Sequence, residues 1–235
     1  MLSWNKWFDD PLLIAFISDG QIDFMPQGAS FILTQAQKAF LSQHAGATID
    51  CVASVKQVHE ATIWDVDQTF IQGTTILEGD GLITRSPNIP LAIRTADCLP
   101  VFIFDPRQRA IGLVHAGWRG SRKRIVEKTV KRMAQQWKTS LEDLKVVLGP
   151  AIRSCCYEVG REFLEYFPQE VIVKDQHLFL DLPLVNKTQL SSLGVREENI
   201  FDCRICTCCD QQFFSHRRDG AKAGRMLSVM MLKTF

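Results

Sequence analysis

The chain has 235 residues, of which 46% are hydrophobic, so it can bury a large core, and we expect one domain spanning residues 1–235. Its 27 lysines and arginines nearly balance its 26 aspartates and glutamates, which argues against a polyanionic partner such as nucleic acid. The first residues carry acids and a proline ahead of a short apolar run, which fits neither a secretory signal nor a membrane span, so we expect a cytoplasmic protein.

The first clear element is a short helix over residues 34–46. Thr34 and Gln37 form a capping box at its start, and Gly46 is a typical residue at a helix end. A half-buried strand is predicted next, over residues 47–59, because apolar residues alternate there with mostly polar ones. If this strand continues to its end, His59 lies on the apolar side and not toward bulk water.

Three apolar strands follow in the middle of the chain, "PLAIR", "LPVFIFD" and "AIGLVH". The second is apolar enough to be buried on both faces, and the turn "DPRQR" joins it to the third. From Ser121 onward the apolar period changes to that of a helix, which is amphipathic as far as Trp137. His115 therefore stands where a strand meets the loop that leads into a helix.

The last third of the chain continues the alternation of strands and helices. We predict a buried strand in "LKVVLGPAI", a helix in "EVGREFLEYF", and a second helix in "LPLVNKTQLSSLG" that ends at Gly194. The segment "QQFFSHRRDGAKAGRMLSVMML" is typical of two strands joined by a basic turn. The order of elements predicts an α/β fold, a single layered domain with mixed β-sheets flanked by helices.

Eight cysteines are present, and their distribution is unlike that of a small secreted disulfide protein, so we expect reduced thiols. Four of them crowd into "CRICTCC", residues 203–209, and Cys155 and Cys156 are adjacent. A structural zinc site would need a second pair of ligands, and adjacent cysteines do not easily both reach one tetrahedral ion. The preferred interpretation is small, buried side chains in strands and turns.

His59, Cys98 and His115 each stand at or just past the end of an apolar strand. Because "LPVFIFD" runs out and "AIGLVH" returns, Cys98 and His115 should lie close together. Two imidazoles and one thiolate leave zinc a fourth position for water or substrate, as in catalytic sites. The alternatives are a hydrogen-bonded histidine with a buried thiol, and a metal-free site with Cys98 as nucleophile and a histidine as its base.

The residues after His115 favour an anion. Gly117 and Gly120 permit close approach to the backbone, and Arg119 stands near a helix start, where phosphate binds well. Arg217, in "SHRRDG", offers a further guanidinium group, although a basic surface turn explains that segment equally well.

Several long motifs together resemble one known family. "VKQVH", "GDGLIT", "LAIRTADCLPVFIFD", "IGLVHAGWRG", "LGPAIRSCCYEVG" and "FFSHRRDGAKAGR" are similar to those of the YfiH-type family, also called laccase-domain or multicopper polyphenol oxidase-like proteins. The resemblance implies a single α/β domain with His59, Cys98 and His115 as metal ligands. It also implies a zinc-dependent enzyme that cleaves adenosine, inosine, guanosine or methylthioadenosine with phosphate and deaminates adenosine. An older label makes the family copper oxidases of phenols.

The residues narrow this chemistry further. Because the chain has only five histidines, a multicopper centre is improbable, although the trio suits one copper ion as well as one zinc. Asp97 and Glu60, beside two of the ligands, are the candidate proton carriers for deamination, and Glu60 replaces the glycine usual in the family. The phosphate would be held by Arg119, the loop from Gly117 to Gly120, and Arg217. The sequence leaves open the preferred nucleoside and the oligomeric state.

Overall fold

The computed structural model describes residues 1–26, 32–69 and 77–234. Among these residues the strands, in chain order, are β1 (Leu2–Ser3), β2 (Leu13–Ile17), β3 (Ile63–Asp65), β4 (Gly81–Thr84), β5 (Leu91–Thr95), β6 (Leu99–Asp105), β7 (Ala110–Ala116), β8 (Lys145–Leu148), β9 (Glu158–Val159), β10 (Val171–Lys174), β11 (His177–Leu180), β12 (Ile200–Asp202) and β13 (Met226–Leu232). The α-helices of the same residues are α1 (Asn5–Phe8), α2 (Gln35–Ala45), α3 (Val66–Thr69), α4 (Trp118–Arg122), α5 (Ile125–Trp137), α6 (Phe163–Tyr166), α7 (Leu182–Ser192) and α8 (His216–Asp219).

The described strands form three sheets. The largest has the order β12-β8-β6-β7-β4-β3 and is mixed, because β12 pairs with β8 and β3 with β4 in parallel, whereas the central pairs are antiparallel. The second sheet, β1-β2-β13-β5, and the small third sheet, β10-β11-β9, are antiparallel. In the second sheet β13, from the end of the chain, lies between β2 and β5.

Alternation of side chains along the strands builds the layers. On β7, Val114 packs on the side of α5 and α7, whereas Leu113 faces the second sheet. On β13, Met230 faces the large sheet and Val229 faces the layer that contains α2. The order of layers is therefore helices, large sheet, second sheet and helix, which confirms the predicted mixed α/β fold.

Several predicted elements are confirmed. Helix α2 has Thr34 as its N-cap with both hydrogen bonds of the capping box, and Gly46 ends it with φ of 60°. The apolar strands of the middle of the chain are β5, β6 and β7, and β6 and β7 form the predicted hairpin. Helix α7 ends just before Gly194, whose φ of 95° favours glycine.

The predicted strand over residues 47–59 is wrong. The segment makes only isolated bridges, Ala53 to Leu91 and Lys56 to Glu78, so its backbone hydrogen bonds go to two different partners and no continuous ladder forms. The alternation of burial survives as far as Val55, which is buried. His59, with φ of 59°, lies in a bend and is exposed, not directed to the apolar side.

Two predictions in the last third also need correction. "EVGREFLEYF" is not one helix, because Glu158 and Val159 pair with β11 and only the four residues of α6 are helical. Of the two strands predicted in residues 211–232, only β13 exists, because Phe213 closes a turn by donating its N–H to the carbonyl of Asp210. Among the helices in the described ranges, each is too short or too polar to cross a bilayer.

Candidate metal and active site

The hairpin of β6 and β7 brings Cys98 and His115 together, as the sequence predicts. Cys98 directly precedes β6, and His115, the penultimate residue of β7, stands opposite Pro100 in the register. His59 reaches the same place from the bend that precedes β3. His115 is 3% exposed, Cys98 is half-buried and His59 is exposed, so the group opens to solvent on one side.

The three side chains have the geometry of a metal site. One ligand atom from each lies within 4.8 Å of the other two, and the Cys98 sulfur is 3.9 Å from Nε2 of His59. In a tetrahedral zinc site with bonds of about 2.0–2.3 Å, neighbouring nitrogen and sulfur ligands lie about 3.5 Å apart. The donor set therefore fits one zinc or copper ion with small side-chain adjustments, and the position toward the opening is left for a reactant.

Asp80, which the sequence analysis did not single out, holds two of these ligands in place. Its buried carboxylate accepts a hydrogen bond from Nδ1 of His115 at 2.7 Å, which leaves Nε2 as the free ring nitrogen. The same carboxylate accepts the backbone N–H groups of Val58, His59 and Glu60 at 3.2, 3.0 and 2.7 Å. One carboxylate thus fixes both the ring of His115 and the loop that carries His59.

The electrostatics of the group follow from these contacts. Burial opposes ionisation of Asp80, but the hydrogen bond to His115, the charge of His115 and the backbone N–H groups of Glu60 and His59 together outweigh that effect, so the pKa of Asp80 is lowered. Burial likewise disfavours charge on His115, yet the facing Cys98 sulfur and Asp80 raise its pKa to about 9. In turn His115 lowers the pKa of Cys98 to about 6 against the effect of burial. The sulfur is therefore predisposed to the thiolate form that binds metals.

The two predicted glycines lie in different surroundings. A Cβ atom on Gly117 would sit 2.9 Å from the Cys98 sulfur and 3.1 Å from Cδ2 of His59, so only glycine leaves the trio its space. Gly120 is inside the five-residue helix α4, where a Cβ would lie 3.3 Å from the carbonyl oxygen of Glu60. Neither Gly117 nor Gly120 lines the cavity described next, so the glycines predicted to approach a phosphate are not part of its wall.

A cavity of about 570 Å³ opens beside the trio, a size typical of small-molecule sites. Its lining combines the three ligands with aromatic rings and four arginines, namely Trp118, Tyr157, Arg94, Arg119, Arg217 and Arg225. Arg119 and Arg217 were predicted, whereas Arg94 and Arg225 were not. Burial and the charge of Arg225 lower the pKa of Arg94 to about 10, so these two cations repel each other unless an anion lies near them.

The two carboxylates proposed as proton carriers are both engaged. Asp97 lines the cavity, and its φ is 82°. Its carboxylate oxygens accept hydrogen bonds from the Thr207 hydroxyl and from the backbone N–H of Arg217, both at 2.6 Å. Glu60 pairs with Lys123 on the surface and does not line the cavity. In this arrangement Asp97 ties the loops on its side of the cavity together.

One of the two cysteine-rich segments, residues 203–209, adjoins Asp97 through the hydroxyl of Thr207. Cys206 is buried, but Cys155 and Cys209 are exposed, so the predicted buried role is wrong for these two thiols. Both thiols lie in turns, over residues 154–156 and 207–209, and these turns leave their side chains in contact with solvent. Four of the sulfurs form a second cluster, described below.

Comparison with known proteins agrees with the motifs. The family described as multi-copper polyphenol oxidoreductase laccase matches residues 33–233. A purine nucleoside phosphorylase of Clostridium acetobutylicum is 37% identical over 188 residues, 77% of either chain, and the adenosine deaminase RL5 of an unknown prokaryotic organism is 31% identical over 209 residues, 82% of this chain and 79% of its own. The crystal structure of YfiH from Bacillus licheniformis superposes with a TM-score of 0.82 at 27% identity, covering 98% of this chain and 94% of that one. The chain therefore belongs to the laccase-like, multi-copper polyphenol oxidoreductase family, of which YfiH is a structural neighbour.

Proposed function

We propose that the protein is a zinc-dependent purine nucleoside enzyme that cleaves nucleosides with phosphate, and that residues 1–235 act as one catalytic domain. The observation that carries the proposal is a three-ligand metal group at the edge of a cavity lined by four arginines. The names of relatives in the same family, purine nucleoside phosphorylase and adenosine deaminase, support it. We propose a cytoplasmic location, because a thiol ligand such as Cys98 stays reduced there.

The arginines supply what phosphorolysis demands. Phosphate has to be held against the sugar carbon C1′ while positive charge develops on the ribose, and guanidinium groups bind phosphate oxygens in pairs. The Arg217 side chain donates to the carbonyl oxygens of Cys156 and Glu158, at 3.3 and 3.0 Å, so its guanidinium is already oriented. Arg119 lies over the Trp118 ring, with 4.4 Å from its guanidinium carbon to the ring centroid. Together they form the phosphate subsite.

The aromatic side of the cavity suits the purine. Trp118 is held by a parallel stack on Tyr166, with 6.1 Å between ring centroids, and Tyr157 also lines the cavity. Flat aromatic faces bind a purine with little loss of conformational entropy. Asp97 is a positioning residue in this proposal, since its carboxylate anchors the Arg217 backbone and the Thr207 hydroxyl.

The metal would be held by His59, Cys98 and His115. Zinc in such a group acts as a Lewis acid and activates water, which is also the chemistry that adenosine deamination needs. Within the described residues there are two groups of potential ligands, and only this one contains histidine, so a centre of several histidine-bound copper ions has no support here. One copper ion with phenol oxidation is the alternative, as is a metal-free hydrolase that uses Cys98 and His115.

One set of assays separates these activities. The purified protein is analysed for zinc and copper and then incubated with inosine, with and without phosphate, while release of hypoxanthine is measured. We expect release that depends on both zinc and phosphate, and ammonia from adenosine. Bound copper together with oxygen uptake in the presence of a phenol would contradict the proposal and support a phenol oxidase. Hydrolysis of the nucleoside by metal-free protein would contradict it and support a thiol hydrolase.

A matched pair of variants on helix α4 tests the phosphate subsite. Arg119 lines the cavity, whereas Arg122 stacks on Tyr166, 3.6 Å from the ring centroid, and does not line the cavity. Only Arg119→Ala should weaken phosphate binding. Equal effects of Arg119→Ala and Arg122→Ala would contradict the assignment.

A further inference from the structure

A second metal site is built from cysteines outside the cavity. We propose that Cys155, Cys156, Cys206 and Cys209 bind one structural zinc ion as a tetrathiolate site. The four sulfurs all lie within 4.8 Å of one another, with 3.3 Å between Cys156 and Cys209 and 3.6 Å between Cys155 and Cys209. Four sulfurs around one zinc at bonds of about 2.3 Å lie about 3.8 Å apart. A disulfide, with sulfurs about 2.05 Å apart, would use only two of the four.

The fold brings the two halves of this cluster together. β8 and β12 run parallel, and the segments that follow these two strands stay hydrogen-bonded to each other. The N–H of Ala151 donates to the carbonyl oxygen of Ile205 at 3.3 Å, and the N–H of Thr207 donates to the carbonyl oxygen of Ala151 at 3.2 Å. Each chain then turns, the first over residues 154–156 and the second over 207–209. The first turn directs two adjacent cysteines to one place, although adjacent cysteines do not easily both reach one tetrahedral ion.

The second half has the spacing of known zinc ligands. Cys206 and Cys209 form a C-x-x-C pair around a turn closed by the N–H of Asp210 and the carbonyl of Cys206, at 2.9 Å. This one turn therefore presents both sulfurs of the pair to the cluster, as the C-x-x-C half of a structural zinc site does.

Two arginines next to the cluster offset part of the charge that it would carry with zinc bound. Zinc with four thiolates carries a net charge of about −2, because each thiol loses its proton to solvent when the metal binds. Arg217 donates to the Cys156 carbonyl, and Arg218 donates to the carbonyls of Thr207 and Cys208, at 3.1 and 3.4 Å. Arg218 also pairs with Asp219, so part of its charge is shared. Both turns of the cluster therefore have a guanidinium group attached to their backbone.

The position of the cluster implies a structural role beside the active site. With four protein ligands the ion has no open position for a reactant. The turn with Cys206 and Cys209 carries Thr207, whose hydroxyl binds Asp97 next to Cys98. The turn with Cys155 and Cys156 leads directly into Tyr157 of the cavity wall. A zinc ion would join the two segments that support this wall.

Zinc stoichiometry tests the proposal without any activity assay, so its failure is distinct from failure of the proposed nucleoside chemistry. The protein, prepared in reductant and washed of loosely bound metal, should contain two zinc ions per chain. Cys156→Ser with Cys209→Ser should contain one, and His115→Ala should also contain one. As a control, Cys51→Ser, which removes a thiol outside both clusters, should retain two.

Cobalt substitution gives a second readout that does not require the cysteine variants to fold. In His115→Ala, where only the cysteine cluster is intact, Co²⁺ should show intense thiolate-to-metal charge transfer and the visible bands of a tetrahedral ion. The same protein should lose these bands when excess zinc is added. One zinc in the unmodified protein and none in His115→Ala, with no cobalt bands, would overturn the proposal, as would disulfides among the four cysteines in freshly prepared protein.

Discussion

Replacing Asp80 by asparagine should lower the zinc affinity of the proposed site, although Asp80 is not itself a proposed ligand. In Asp80→Asn one side-chain oxygen remains, so if it keeps the contacts to His115 and His59, the new amide group faces the N–H groups of Val58 and Glu60. Losing two hydrogen bonds to a charged acceptor costs about 3–5 kcal/mol of folding free energy. Mutation of such a carboxylate partner of a ligating histidine, here to a neutral acceptor that makes the imidazole less basic, typically weakens metal binding about 10–100-fold, or about 1.4–2.7 kcal/mol. Urea unfolding and zinc competition with a chelator measure the two quantities separately.

The control is a second buried carboxylate at the far end of β6. Asp105 accepts the N–H groups of Arg107 and Gln108 at 2.9 and 3.0 Å, within the turn that leads to β7. Asp105→Ala should cost about 2–4 kcal/mol of stability, comparable to Asp80→Asn, and leave zinc affinity unchanged. The reasoning is refuted if Asp80→Asn binds zinc as tightly as the unmodified protein, or if Asp105→Ala weakens zinc binding equally.

Four further variants address the proposed ligands, the phosphate subsite and the core. His115→Ala and Cys98→Ala should each lose the metal of the trio and the enzymatic activity while circular dichroism stays native; full metal content in either would exclude that residue as a ligand. Arg119→Ala should raise the KM for phosphate about tenfold, the loss of about one charge-assisted hydrogen bond, with a smaller change in kcat. Leu113→Ala, at a fully buried position between the two sheets, should lower the free energy of unfolding by about 2–5 kcal/mol in urea denaturation.

Elements whose hydrogen bonds are local could be predicted from the sequence. The capping box of α2 and the β6–β7 hairpin depend on contacts between residues close in the chain, and both are present. The segment 47–59 has the alternation of a strand, but its bridges to Leu91 and Glu78 reach two distant parts of the fold. The alternation of apolar and polar side chains indicates which residues are buried, but it does not indicate which strand the backbone hydrogen-bonds to. It could therefore not reveal that this segment forms no continuous β-ladder.

The same distinction applies to the site. The convergence of His59, Cys98 and His115 could be predicted because each follows an apolar segment and two of them belong to one hairpin. Arg94 lies inside β5, where nothing in the local pattern indicates that Arg225, beyond 130 residues of chain, would face it. The aspartate of "GDG" gave a signal that could have been used, because an acid between glycines at a strand start is suited to accept backbone N–H groups.

Asp80 also explains how the metal group is organised before any ion arrives. β4 pairs with β7 so that Gly81 stands opposite Val114, which places Asp80 beside His115. Burying a carboxylate costs free energy unless hydrogen bonds compensate it, and here the partners are the His115 ring and the loop that carries His59. The requirement to satisfy this one charge therefore orders two of the three ligands. At the proposed metal site, binding of the ion would then not have to supply the free energy for ordering that loop, which would raise the affinity of an otherwise open three-ligand site.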